Sequence, residues 1–461
     1  MNPRSPGRGD RDEAAPADDL STSRGARARA LGALGAELAA TMLRAGARRL
    51  TGQAAEPVWS EAHRASAASI LRSLGRLRGV AAKLGQALSH TPGVLPDEYV
   101  DAMVALTDDL PPMSYGLVKT QIRDELGAAP LDLFATFERE PVAAASLGQV
   151  HRATRHDGTV VAVKVQYPAI DETVRSDLAN LEMAVPLLEK VARRGDLRDV
   201  VEEVRDRLTE ELDYRLEADN YEFFREAYSS AVILVPAVHR DRSAERVLTL
   251  DFVEGTPIRA HLDAGPSQEE RHRLTRSLIR FAWSSLYEHH VIHADPNPGN
   301  YLRCEDGRLG VLDFGCVKRL SPAFGEKMRA LVRASAYGRD AELDDEIFAT
   351  GLLAEGASRD QRETVRRLMR LWSKSGVERD FDFGDRAYVD ELIRLQQATF
   401  REPTLRMDRE WVFLGRAYLG QTHLLHKLGA RGDFRPLFEE ALGPPPSARP
   451  ARPKRSRART H

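Results

Sequence analysis

Asp295 and Asn300 stand five residues apart in VIHADPNPGNYL, and Asp313 opens the tripeptide DFG directly after the apolar run 309–312. Carboxylate and amide oxygens at this spacing suit phosphoryl transfer from a nucleotide, which needs a metal held by hard oxygen ligands and a carboxylate that orients the acceptor. Asp295 is the candidate for the orienting carboxylate, and Asn300 and Asp313 are candidates for holding Mg²⁺. The reaction also needs a positive charge on the phosphates. Lys164, at the end of VAVK, can supply an ammonium for the α- and β-phosphates, and Glu217, in EELDYRLEADN, is the carboxylate chosen to hold that lysine in place. Each residue alone is also an ordinary surface charge; the argument rests on their order along the chain. A second DFG begins at Asp382, but it follows Arg379 and Asp380 with no catalytic loop upstream and reads as coincidence.

Several elements must position these groups. GQVHRATRHDGTVVAVKVQYP contains two β-rich runs around a turn at Asp157 and Gly158, so a hairpin is expected, with Val161 and Val163 on one face of its second strand and Ala162 and Lys164 on the other. Helical patterning follows from about residue 171 to 228, strands are plausible at 231–238 and 246–253, and a mostly helical half comes after. Upstream, residues 1–24 read as a flexible leader rich in Pro, Gly, Asp and Arg. Leu31, Leu34, Leu38, Met42 and Leu43 then recur at helical spacing ahead of Arg44, Arg48 and Arg49, which suits a helix that packs on the body or lies on a membrane surface. Further helices are expected over 58–125, and again through Trp372 and along WVFLGRAYLGQTHLLHKLG, where His423 and His426 have no carboxylate nearby to complete a metal site. The chain divides as a leader (1–24), a helical extension (25–128), a small lobe (129–255), a large lobe (256–442) and a basic tail (443–461).

Composition narrows the function classes. The 67 basic residues balance 69 acidic ones, so nothing argues for nucleic acid as a partner of the whole chain, although the tail ARPARPKRSRARTH is locally basic and open to anionic lipid. Cys304 and Cys316, the only cysteines, form neither a disulfide framework nor a zinc motif. The N-terminus lacks an apolar signal core and no run of 18 apolar residues occurs, so the expected place is the cytoplasm, with room for peripheral contact with a membrane.

The joint order of hairpin lysine, helix glutamate, HxDxxxxN and DFG is that of protein kinases, so the expected class is α+β: a two-lobed kinase-like fold with extra helices at both ends. One feature departs from it. Where kinases carry GxGxxG over the phosphates, this chain has Ala143, Ala144, Ala145 and Ser146 in PVAAASLGQVH, a stiffer cover for a nucleotide. Together with AAKLGQ upstream, ELD at 211–213 and HADPNPGN, this loop resembles the UbiB/AarF family of atypical kinases over roughly residues 65–320. The resemblance implies that the KxGQ residues Lys83 and Gln86 face the cleft with Glu211 and Asp213 as partners. It also implies binding of ATP or ADP with Mg²⁺, ATPase activity linked to lipid or phenolic ligands, and a role in isoprenoid-quinone biology. A protein or small-molecule phosphotransferase and a nucleotide-gated lipid-binding or chaperone module are the other readings. Asn297 stands where the family loop commonly has histidine, and bacterial members often finish in hydrophobic membrane helices where this chain has PPPSARPARPKRSRARTH.

Overall fold

The computed structural model describes residues 113–188 except 146, 197–228, 232–400 except 355, 409–445, and parts of 40–48 and 61–66. Two units divide the chain, Met1–Arg76 and Leu77–His461. In the first, the described residues between 40 and 48 and between 61 and 66 are helical, and Arg48 pairs with Glu61 at 2.8 Å. Lys83, Gln86 and Ser146 lie outside the described residues, as do the leader and most of the basic tail.

The second unit holds both lobes. Its small lobe opens with helix α1 (Tyr115–Leu126), followed by strands β1 (Thr136–Phe137), β2 (Ala143–Ala145), β3 (Gly148–Thr154) and β4 (Val160–Gln166). Helices α2 (Ile170–Leu188), α3 (Leu197–Glu211) and α4 (Tyr214–Ala227) come next, then the short strand β5 (Ile233–Leu234) and β6 (Val247–Asp251). The antiparallel sheet runs β1-β3-β4-β6, with β2 also paired to β3. Strict alternation along β4 buries Val161, Val163 and Val165 against Val118 and Ile122 of α1. The sequence reading places this helix in the extension that ends at 128; in the structure it packs on the small-lobe sheet, because its apolar stripe covers that face of β4.

The hairpin turn lies at Asp157 and Gly158 as the sequence indicates, with Gly158 at φ +88°. Gly148 has a different reason to be glycine. A Cβ there would sit 2.1 Å from the Val165 carbonyl oxygen, so the absent side chain is what lets β3 lie against β4.

Two neighbours of Gly148 are structural as well. Gln149 accepts from the Met113 backbone at 3.0 Å and donates to His151 Nε2 at 2.8 Å, while His151 Nδ1 donates to the Glu138 carbonyl at 2.8 Å. This chain of bonds fixes a neutral histidine, and burial lowers its pKa below the ordinary 6.5. The unfolded chain therefore takes up the proton first as pH falls, and His151 withdraws stability below pH 6.5. The melting temperature should accordingly fall between pH 6.5 and 5, with a shallower slope in His151→Gln; identical slopes would discharge His151 from the acid sensitivity.

In the large lobe, β7 (Gly255–Pro257) precedes α5 (Gln268–Tyr287), and β8 (Val291–His293), β9 (Tyr301–Cys304), β10 (Leu309–Val311) and β11 (Val317–Arg319) carry the loops of interest. A four-stranded sheet runs β5-β10-β9-β7, and β8 pairs with β11. The remaining described elements are mainly helices around Phe324, Leu343, Trp372 and Trp411. Among them, the second DFG is a strand end: Phe381 and Asp382 pair with Gly432 and Arg431, and Asp382 caps its own turn by accepting from Gly384 at 2.7 Å. His423 and His426 each engage a backbone carbonyl.

Candidate nucleotide site

Lys164 stands on the face of β4 opposite the buried valines and reaches α4. Asp213 caps that helix by accepting from the Arg215 backbone at 2.9 Å, which sets Glu217 one turn inside, facing the sheet. Lys164 Nζ donates to both Glu217 oxygens at 2.8 Å and lies 3.5 Å from Asp313 Oδ2. Side-chain exposures of 14% for Lys164 and 4% for Glu217 make this a buried pair, whose energy is far less screened than that of a surface bridge.

Asp313 is aimed by its neighbour. Phe314 is fully buried against Phe224 at 4.6 Å and Tyr221 at 4.7 Å, both on α4, and Asn220 donates to the Phe314 carbonyl at 3.0 Å. With phenylalanine locked on that side, the aspartate turns toward Lys164, and the Gly315 backbone donates to its Oδ1 at 2.9 Å. Tyr221 donates to the Leu312 carbonyl and His293 Nε2 to the Asp313 carbonyl, so the strand end is held from both lobes.

The loop after β8 brings the remaining pair together. Asn300 Nδ2 donates to Asp295 Oδ2 at 2.9 Å and to the Asp295 carbonyl at 3.1 Å, leaving the amide oxygen as the group Asn300 can offer to a cation. Asn297 accepts from the Gly299 backbone at 3.0 Å and caps the short turn ending at Asn300, a local job that an amide does well.

A cavity of about 20 Å³ is lined by Leu147, Lys164, Glu211, Tyr214, Glu217, Asp295, Asp313, Gly315 and Cys316. One ammonium thus shares it with four carboxylates. Burial works to lower the Lys164 pKa, but Glu217 and Asp313 outweigh it and hold the ammonium well above its ordinary range. Burial raises the Glu217 carboxyl, Lys164 opposes, and Asp313 adds to the rise. The two directions agree physically: a cluster with surplus negative charge attracts a proton or a cation. Its four carboxylates offer oxygen donors, the chemistry Mg²⁺ prefers. Among the described residues, no group of three or more His, Cys, Asp and Glu is placed to hold a metal unaided. Phosphate oxygens or water would have to complete any shell.

Of the two acids in ELD, only Glu211 lines this cavity; a Cβ on Gly315 would lie 3.8 Å from its Cγ. Asp213 is occupied by Arg215, whose guanidinium it accepts at 2.9 and 3.1 Å. Two residues that sequence reasoning missed position Glu211. Gln166 donates to the carbonyls of Glu211 and Leu212 at 3.1 and 3.0 Å, and Lys318 donates to Glu210 at 2.9 Å, tying the end of α3 to the strand after DFG. Gln166 was reachable by alternation, since it shares a strand face with Lys164. Nothing local marks Lys318. Ala143, Ala144 and Ala145 form β2 beside β3, at the mouth of the hairpin rather than in the cavity lining.

An antiparallel sheet lobe carrying a lysine–glutamate pair, set over a helical lobe with HxDxxxxN and DFG, defines a protein-kinase-like protein. The sequence profile of the ABC1 atypical kinase-like domain matches residues 105–344, just over half of the chain. An uncharacterized chloroplastic aarF domain-containing protein kinase of Arabidopsis thaliana is 37% identical over 259 residues, 56% of this chain and 36% of that relative. An uncharacterized Mycobacterium tuberculosis protein is 32% identical over 343 residues, 73% of this chain and 69% of that relative. A solved structure of another M. tuberculosis protein, in complex with erythromycin, superposes with a TM-score of 0.61 at 29% identity, covering 85% of this chain and all of that one. The chain belongs to the UbiB/AarF family of atypical kinases, also called ABC1. Among the described residues no helix is long and apolar enough to cross a membrane.

Proposed function

We propose that this chain binds Mg·ATP between Lys164 and Asp313 and turns it over, as an ATPase or regulatory kinase serving isoprenoid-quinone or other lipid metabolism. The carrying observation is the buried Lys164–Glu217 pair beside Asp313, which fixes an ammonium where nucleotide phosphates would lie. Asn300 and Asp313 would hold Mg²⁺, which when bound neutralises phosphate oxygens. Asp295, kept in place by Asn300, orients the attacking oxygen of water or of an acceptor hydroxyl. Support for the quinone link comes from the family resemblance and from chloroplastic relatives of Arabidopsis thaliana named for activity of the bc1 complex.

A second reading, a nucleotide-gated binding module, is favoured by the likeness to a protein solved with an organic molecule bound. Opening on nucleotide exchange could then be the output, and the erythromycin complex of a similar protein supports an organic ligand in that role.

Phosphate release from Mg·ATP by the purified chain, with and without anionic liposomes and a phenolic quinone-precursor mimic, tests the proposal. Stimulated release is the expected result. Binding without release, or transfer of the γ-phosphate to an added acceptor, would move the assignment to the gated module or to a phosphotransferase.

A further inference from the structure

Tyr214 has no assigned role in the nucleotide site, yet it lines the cavity with Lys164, Glu217 and Asp313. Its ring packs under the ammonium, with Lys164 Nζ 4.9 Å from the ring centroid, and the residue is only 2% exposed. Its hydroxyl is buried and has no hydrogen-bond partner among the described residues. An unsatisfied buried hydroxyl is costly, and in native proteins such a group calls for an explanation.

The charges around it suggest one. A lysine ammonium has three donors. Here Glu217 takes the two short contacts and Asp313 the long one, so Lys164 has little left for a phosphate in this arrangement. Every other charged group lining the cavity is an acceptor when ionised. Tyr214 thus brings an unpaired buried donor to the wall of a cavity lined by anionic groups. Burial raises its pKa above the ordinary 10, so it keeps its proton at neutral pH.

We propose that the Tyr214 hydroxyl donates a hydrogen bond to a non-bridging phosphate oxygen of the bound nucleotide, making Tyr214 a nucleotide-positioning residue alongside Lys164. The inference rests on the reading of this cavity as the Mg·ATP site. It predicts opposite effects on the free and bound protein. Removing the hydroxyl deletes an unsatisfied group from the free protein and a phosphate contact from the bound one.

Tyr214→Phe separates the two because it keeps the ring under Lys164. Calorimetry with Mg·ATP and with adenosine, beside melting of the ligand-free protein, should give about 10-fold weaker Mg·ATP binding, as for loss of a hydrogen bond to a charged group. Adenosine affinity should be unchanged, and ligand-free melting unchanged or higher. Equal Mg·ATP affinity in variant and wild type overturns the inference and leaves the hydroxyl to an ordered water. Equal weakening toward Mg·ATP and adenosine, with lowered melting, overturns it in favour of a packing role. A wild-type protein that binds no Mg·ATP overturns the reading of the cavity itself, and this inference with it.

Discussion

Asp313→Asn should leave the fold intact and weaken Mg·ATP binding by about 100-fold or more, the scale of losing several kcal/mol of metal–phosphate stabilisation. The amide can still accept from the Gly315 backbone through Oδ1, which preserves the turn. It cannot supply the negative charge that draws a divalent cation into the site. It also sets an amide against the Lys164 ammonium where Oδ2 now lies at 3.5 Å, so the lysine keeps Glu217 alone. The sharp contrast is between metal-bound and metal-free nucleotide. Without Mg²⁺, the variant should bind ATP at least as well as wild type, because one carboxylate fewer repels the phosphates. Titration of both proteins with ATP, in Mg²⁺ and in chelator, reads the difference directly. An unchanged Mg²⁺ dependence would remove Asp313 from the metal set and leave Asp295 and Asn300 to account for it.

Why Asp313 was legible in the sequence, when other members of the site were not, is a matter of range. Lys164 follows from alternation in one strand, Asp295 and Asn300 from a step of five within one loop, and DFG from an apolar strand that ends in an acid. All are patterns a dozen residues long or less. The hairpin over 148–166 was legible for the same reason. Longer reach defeats such reading. The bonds from Gln166 to Glu211 and Leu212 and from Lys318 to Glu210 join residues far apart in the chain, and no local spacing announces them.

Chemically versatile residues mislead in another way. AAASLGQVH reads as a nucleotide loop, yet Gly148 is there for strand contact, and Gln149 and His151 fasten the hairpin to Met113 and Glu138. Asp213 and Glu211 look equivalent in ELD until helix geometry turns the first into a cap and the second into the cavity. Lys83 and Gln86, which the family resemblance sets against them, fall outside the described residues.

Lys164→Met should end nucleotide turnover and also lower stability, and the two losses are separable. Without the ammonium, Glu217 is left 4% exposed beside Asp313 and must hold a proton to stay buried. The unfolded chain would release that proton near the ordinary value of 4.5. Removing one partner of a buried pair is expected to cost ~3–5 kcal/mol. The sign is fixed by linkage. The wild-type carboxyl is already raised to about 7 and losing Lys164 raises it further, so the deficit of Lys164→Met is constant below pH 7 and grows by up to ~1.4 kcal/mol for each unit that pH rises above it. Adding Glu217→Leu removes the stranded carboxyl, and the double variant should recover most of the stability at pH 7, because an apolar pair of similar volume is tolerated where an ion pair stood. It should recover none of the turnover. Denaturant unfolding of both variants and wild type at pH 7 and pH 9, alongside phosphate release, tests both claims. A deficit that does not change with pH would mean that Lys164 stabilises the lobe by packing on Tyr214 more than by pairing with Glu217. Turnover restored by the double variant would show that the ammonium's partner at this site is the carboxylate and not the nucleotide.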